Sequence, residues 1–191
     1  MTSRNRKSKI YDYTICALFA ALTAVGAWIK IPLPAPLVDF TLQFLFSALA
    51  GLVLGSKKGA LSQFVYIAVG LSGIPVFKDG GGIDYVLRPT FGYLIGFILC
   101  AYITGKIRET GTITFTRSLV ACVLGLLVVY GLGVPYMYIV YKFHLGQAFG
   151  LWALTWGGAI ICAPGDLFLC VVAALASVRV LPILKKQGYI S

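Results

Sequence analysis

The residues of this chain that can bind a polar ligand concentrate in one short charged segment. Residues 78–90 carry four charges and three consecutive glycines, in a chain of which only 12% of the residues are charged. Because charge is costly close to a bilayer, a charged segment between long apolar stretches usually serves to bind something. We therefore expect residues 75–89 to form a loop that covers and lines a small-molecule site on the outer membrane face.

Further polar residues stand at the starts of apolar segments, where the same membrane face can gather them. A pocket for a small amphipathic molecule needs mostly apolar walls and a few orienting polar groups. Aromatic residues at positions 85, 91, 93, 152 and 156 can supply such walls. The candidate ligand-binding residues are Gln43, Asp79, Gly80, Asp84, Arg88, Tyr93 and Asp166.

Several of these candidates also have a structural explanation. Asp166 follows Pro164 and Gly165, so its carboxylate can cap the last helix by accepting free backbone N–H groups. Asp84 and Arg88 are four residues apart and can pair with each other on a helical turn. Gln43 can form a hydrogen bond between helices instead of contacting a ligand. The sequence leaves these alternatives open.

Catalytic and metal chemistry find no support in the sequence. The phosphate-binding pattern GxxxxGK[ST], the metalloprotease pattern HExxH and a nucleophile elbow are absent, and His144 is the one histidine. The five cysteines form no CxxC pair, which argues against a disulfide framework or a metal site. The expectation is a binding or transport protein without a cofactor, rather than an enzyme.

The composition is that of a multi-pass membrane protein with a single domain over residues 1–191. Hydrophobic residues make up 59% of the chain, whereas soluble domains are about half apolar and about a quarter charged. Apolar stretch 148–163 is bounded by a polar turn and Pro164, which predicts a short helix or re-entrant segment on the outer side. Six membrane-spanning helices are predicted at 11–31, 40–55, 59–74, 90–107, 118–141 and 167–184.

Lysine and arginine are distributed unevenly about these six spans. With the N-terminus inside, the inner segments carry twelve of the sixteen cations and the outer segments carry four. Positive residues accumulate on the cytoplasmic side of membrane proteins, so both termini are predicted to be cytoplasmic: the basic segment 1–10 and the tail 185–191. The same bias explains the net charge of +10 without a nucleic-acid partner.

An ordered series of motifs runs from residue 38 to residue 166. The motifs are VDFTLQ at 38–43, LGSKKGA at 54–60, GLSGIPVF at 70–77, RPTFGYLIGF at 88–97 and PGD at 164–166. This series resembles the BioY family. BioY proteins are the biotin-specific substrate-capture (S) components of energy-coupling factor transporters. The resemblance is dense over residues 40–97 and thinner over the last helix.

The resemblance implies six helices, an outward-facing biotin site and a plasma-membrane location. It also implies an energising module with a transmembrane coupling protein and two ATPase subunits. In such S components the first helix docks the coupling protein through spaced alanines, and Ala17, Ala21 and Ala24 match that pattern. Glycines 80–82 would let the outer loop close over the ligand, because glycine tolerates unusual backbone angles.

Two positions depart from the family pattern. Arg88 stands where the family usually has glycine, and Leu169 stands where it usually has lysine. A buried carboxylate needs a cation, and arginine offers a bidentate fit. The resulting hypothesis is that Arg88 binds the biotin carboxylate while Asp166 accepts hydrogen bonds from the ureido N–H groups. The alternatives are an S component for another vitamin or a small oligomeric channel.

Overall fold

The computed structural model of the chain describes residues 3–34, 37–147 and 149–186, with side chains from residue 10 onward. Its fold is almost entirely helical. Seven α-helices occur in these ranges: α1 (Ser3–Trp28), α2 (Gln43–Leu54), α3 (Ser56–Leu71), α4 (Phe91–Glu109), α5 (Phe115–Phe143), α6 (Leu151–Thr155) and α7 (Ala163–Lys186). A short 3₁₀ helix (Ile83–Leu87) precedes α4, and a π-helical turn (Trp156–Ile160) links α6 to α7.

Four helical stretches are long and apolar enough to cross a bilayer. They are Ile10–Trp28, Phe91–Glu109, Phe115–Phe143 and Leu151–Lys186, and the apolar helix Gln43–Leu54 is shorter. The predicted segments correspond to α1 through α5 and α7, and α6 lies in the predicted seventh segment. The count of six spans and the sidedness of the termini therefore stay predictions. Parts of segments 1–10, 185–191 and 148–163 lie outside the described residues.

The first helix ends earlier than the sequence predicts. Residues 29–31 were expected to continue α1, but Lys30–Ile31 forms strand β1 and pairs antiparallel with β2, Phe40–Thr41. Lys30 lies opposite Thr41 and Ile31 lies opposite Phe40. Two prolines follow at 32 and 34, and proline cannot extend a helix that needs its backbone N–H. This small ribbon positions residues 38–41 beside the start of α2.

Small residues set the spacing of α2, α3 and α4. A methyl group at Gly51 would overlap Thr104 and the backbone of Ala101 on α4. A methyl group at Gly59 on α3 would come within 2.8 Å of the Cα of Gly51. In lipid, hydrophobicity does not drive helix association, so packing relies on such close backbone approach. The small-residue pattern in α2 serves packing inside this bundle.

Candidate functional site

A cavity lies at the end of the bundle where the β1–β2 ribbon and residues 74–90 meet α2, α4, α5 and α7. Its empty space, including the opening to solvent, is about 570 Å³. The walls are mixed, with apolar and aromatic side chains between a small set of polar ones. The polar and tyrosine side chains that line it are Asp39, Thr41, Gln43, Lys78, Tyr85, Thr90, Tyr93, Tyr130, Cys162 and Asp166. The apolar ones are Val38, Phe40, Phe44, Leu94, Phe97, Leu126 and Val129.

Asp166 provides a buried carboxylate on the α7 side of the cavity. It is 7% exposed and accepts a hydrogen bond of 2.5 Å from the Tyr130 hydroxyl on α5. The N-cap interpretation of Asp166 is wrong, because α7 begins at Ala163 and Asp166 lies inside its first turn. The backbone N–H of Asp166 already donates to the carbonyl of Cys162. The Tyr130 hydroxyl therefore orients the Asp166 carboxylate in the cavity wall, and this carboxylate does not cap the start of α7.

Gln43 on α2 joins an interhelical network and lines the cavity at the same time. Its amide nitrogen donates to the Tyr66 hydroxyl on α3 at 2.7 Å, and its oxygen accepts from Thr41 at 3.2 Å. Tyr66 in turn donates to the backbone carbonyl of Val76 at 3.2 Å. The network ties α2, α3 and the outer loop together, so the position of Gln43 is fixed before any ligand arrives.

Tyr93 connects α4 to the π-helical turn. Its hydroxyl donates to the carbonyl of Gly158 at 2.9 Å, and a methyl group at Gly158 would collide with that hydroxyl. Val38 precedes β2 and donates its backbone N–H to the carbonyl of Gly157 at 3.0 Å. This hydrogen bond holds the segment before β2 against the same turn. The turn thus closes one wall of the cavity.

Residues 75–89, the predicted outer loop, are folded and packed against the helices. Phe77 and Gly80 exchange backbone hydrogen bonds of 2.9 and 3.3 Å around a tight turn. Gly80 and Gly82 have φ angles of +115° and +111°, which side chains of L-residues rarely adopt. The ring of Phe77 is buried between Tyr66 and Tyr85, at centroid distances of 5.4 and 4.4 Å. The loop therefore places Lys78 and Tyr85 in the cavity wall.

Ion pairs link the outer loop to the β1–β2 ribbon. Lys78 Nζ lies 2.5 Å from Asp39 Oδ2 and 3.1 Å from Asp79 Oδ2. Lys30 donates to Asp79 Oδ1 and to the carbonyl of Lys78, both at 2.9 Å. Partial burial raises the pKa of Asp79, but the hydrogen bond from Lys30 and the charge of Lys78 outweigh it, so that pKa falls below its ordinary value.

The structure brings three of the seven predicted ligand-binding residues into the cavity wall: Gln43, Tyr93 and Asp166. The other four lie in the outer loop outside this wall: Asp79, Gly80, Asp84 and Arg88. Asp84 and Arg88 are exposed, and they form no ion pair with each other in the part of the chain that the structure describes.

Sequence reasoning missed Asp39 and Tyr130 as cavity residues, and it included Lys78 only as part of the predicted lining loop and not as a named candidate. The charge of the loop was the signal that pointed to Lys78. Tyr130 lies within an apolar helix and carries no sequence signal. Of the five expected aromatic wall residues, Tyr85 and Tyr93 line the cavity. Phe91 is buried outside the wall, and Trp152 and Trp156 are outside it and at least half exposed, at 72% and 50%.

The three alanines of the predicted docking face lie along one side of α1. Ala17 and Ala21 are exposed and Ala24 is half-buried. Ala20 and Ala27 are buried and face the bundle instead. Part of the predicted alanine face is therefore available to a partner, while α1 packs on α2 and α3 through its other side.

Comparison with known proteins decides the family. The sequence model of the BioY family matches residues 1–186. The chain belongs to the BioY family. This membership confirms the resemblance found in the motifs and the prediction of a multi-pass membrane protein.

Similar proteins extend over most of the chain. The probable biotin transporter BioY of Lysinibacillus sphaericus is 45% identical over 91% of this chain and 88% of its own length. The biotin transporter BioY of Thermotoga maritima is 39% identical over 85% and 90%. The crystal structure of an S-component for biotin from an ECF-type ABC transporter has the same fold, with a TM-score of 0.80, 24% identity and 95% coverage of both chains.

Proposed function

We propose that this chain captures biotin and is the substrate-binding subunit of an ECF-type transporter. The observation that carries the proposal is the cavity, in which a buried carboxylate and a fixed amide face apolar and aromatic walls. Membership of the BioY family and relatives named as biotin transporters support the choice of ligand. The activity is transport rather than catalysis.

Biotin has two chemically different ends that such a cavity can distinguish. Its ureido ring offers two N–H donors and its valerate chain ends in a carboxylate. Asp166 is the acceptor proposed for the ureido N–H groups, because its carboxylate is buried and already oriented by Tyr130. Hydrogen bonds to a charged acceptor are about twice as strong as neutral ones, which favours this end as the anchor.

The proposed topology has six spans with both termini in the cytoplasm. The cavity then opens to the outside, since it lies at the ends of helices that the charge bias assigns to the outer face. The proposed partners are a transmembrane coupling protein and two ATPase subunits, which supply the energy for release inward. The outer loop is the proposed cover of the site, with its glycines as the mobile positions.

Uptake of radiolabelled biotin tests the proposal. A biotin auxotroph that expresses this chain should accumulate label when an energising module is present. Unlabelled biotin should compete, whereas other vitamins in equal excess should not. Competition by a different vitamin but not by biotin would make the chain an S component of another specificity, and ligand-independent ion conductance would make it a channel.

Replacing Ala21 with tryptophan should reduce energised uptake while leaving biotin binding intact. Ala21 is exposed on α1, and a large ring there would separate α1 from a coupling protein that approaches closely. Misfit of this kind costs roughly 1–3 kcal/mol, so uptake should fall by about fivefold to 150-fold. Leu127→Trp is the matched control, because Leu127 is 60% exposed on α5. Equal uptake by the two variants would contradict docking through the alanine face.

A further inference from the structure

Lys78 is the one basic side chain in the cavity wall as far as the described residues extend. Its side chain is only 12% exposed, so it is largely removed from water. On α7, the position where the family usually has lysine is Leu169, and that side chain is buried in the core at 5% exposure. Arg88 is exposed and outside the wall. A ligand in this cavity that carries an anion meets its countercharge at Lys78.

Lys78 already has a partner inside the cavity wall. Its Nζ lies 2.5 Å from Asp39 Oδ2, and the Asp39 side chain is 11% exposed. A pair with so little contact with water is stable only while each charge keeps its partners. Lys78 Nζ also lies 3.1 Å from Asp79 Oδ2, which is outside the cavity wall. A ligand carboxylate would therefore be the third at this ammonium group, and it can approach only if Asp39 gives up its shorter contact or shares it.

Asp39 and Lys78 each keep other hydrogen bonds when the ion pair between them breaks. The second oxygen of Asp39 accepts the backbone N–H of Leu33 at 2.9 Å, so the carboxylate stays hydrogen-bonded without Lys78. The backbone of Lys78 is held by the turn from Phe77 to Gly80 and by the hydrogen bond from Lys30. The ammonium group, on its flexible four-carbon stem, can then change partner without a change in the backbone of Lys78.

We propose that Lys78 binds the anionic end of the ligand, and that the ligand carboxylate replaces Asp39, the nearer of the two ion-pair partners of Lys78. This inference rests on the proposed function, since it takes a carboxylate-bearing ligand as given. Asp39 acts as an internal competitor that occupies Lys78 in the empty cavity. Lys78 thereby takes the role that the sequence hypothesis gave to Arg88.

Charge preference is the quantity that tests the exchange. It is the ratio of the Kd of biotin methyl ester to the Kd of biotin, measured on the purified full chain in nanodiscs. Lys78→Met should lower this ratio by about tenfold or more, because only the charged ligand loses a charge-assisted contact. The affinity for the neutral ester should change by less than about threefold. Asp39→Asn should raise the ratio, because the competing carboxylate is gone.

Two control variants separate a binding role from a structural one. Lys30→Met removes the same charge from the same ion-pair network, but Lys30 is outside the cavity wall, so both ligands should shift together. Arg88→Gln should likewise shift both ligands together. A selective loss of biotin binding in Arg88→Gln, with Lys78→Met unselective, would overturn the proposal in favour of Arg88.

The outcomes also separate this inference from the proposed function. If the unmodified chain binds neither biotin nor its ester, the proposed function itself fails. If it binds biotin but Lys78→Met weakens both ligands equally, Lys78 is structural and only this inference fails. If Asp39→Asn leaves the charge preference unchanged or lowers it, Asp39 does not compete with the ligand and the exchange is refuted.

Discussion

Asp166→Asn should weaken biotin binding by about 100-fold or more, since charge-assisted hydrogen bonds contribute about 1.5–3 kcal/mol each and 1.4 kcal/mol is tenfold. The substitution keeps the shape of the side chain but removes the charge that the two ureido N–H donors would share. Asp166 is 7% exposed, so water replaces little of the lost interaction. The measurement is the Kd of biotin for the purified variant.

Tyr130→Phe is the companion variant for Asp166→Asn. It removes the 2.5 Å hydrogen bond that orients Asp166 but keeps the carboxylate. A single hydrogen bond contributes about 0.5–1.5 kcal/mol, so the expected loss is about tenfold or less. If Asp166→Asn binds biotin as well as the unmodified chain, and both melt at the same temperature, Asp166 does not contact the ligand.

Gly51→Ala should destabilise the helix bundle by about 1–3 kcal/mol, the usual cost of inserting atoms into a packed core. The added methyl group would overlap the Thr104 hydroxyl and the carbonyl of Ala101 on α4. Because Ala101 contributes its backbone to this contact, α2 and α4 must move apart. Thermal unfolding of the purified variant in detergent should report the loss, and Gly51→Val should be worse.

Gly131→Ala makes the same chemical change on α5 at a site with open space around it. A methyl group at Gly131 meets no atom within 4 Å. Its melting temperature should stay the same or rise slightly, because alanine has the higher helix propensity. Equal destabilisation by the two variants would mean that the close approach of α2 and α4 at Gly51 does not limit stability.

Composition and charge are enough to locate most helices of this fold. Long apolar stretches bounded by charge mark α4, α5 and α7 to within four residues at each end. The end of α1 was predicted wrongly, because pairing of Lys30–Ile31 with Phe40–Thr41 depends on a contact between distant residues. The start of α7 at Ala163, before Pro164, moved Asp166 from a cap position into the first turn.

The sequence was enough to predict a cavity with polar residues at the ends of apolar helices, but not which cation lines it. Gln43, Tyr93 and Asp166 were identified because polar residues at the ends of apolar helices are unusual. The choice between Lys78 and Arg88 could not be made from sequence. The turn from Phe77 to Gly80 and the 3₁₀ helix at Ile83–Leu87 decide which cation faces inward, and both depend on packing of Phe77 and Tyr85.

Calorimetric titration of biotin into the purified chain in nanodiscs tests the central claim most directly. That claim is that the cavity beneath the outer loop binds biotin without any partner subunit. The predicted result is saturable heat at one biotin per chain, which disappears in Asp166→Asn under the same conditions. No heat with the unmodified, folded chain, or undiminished heat with Asp166→Asn, would contradict it.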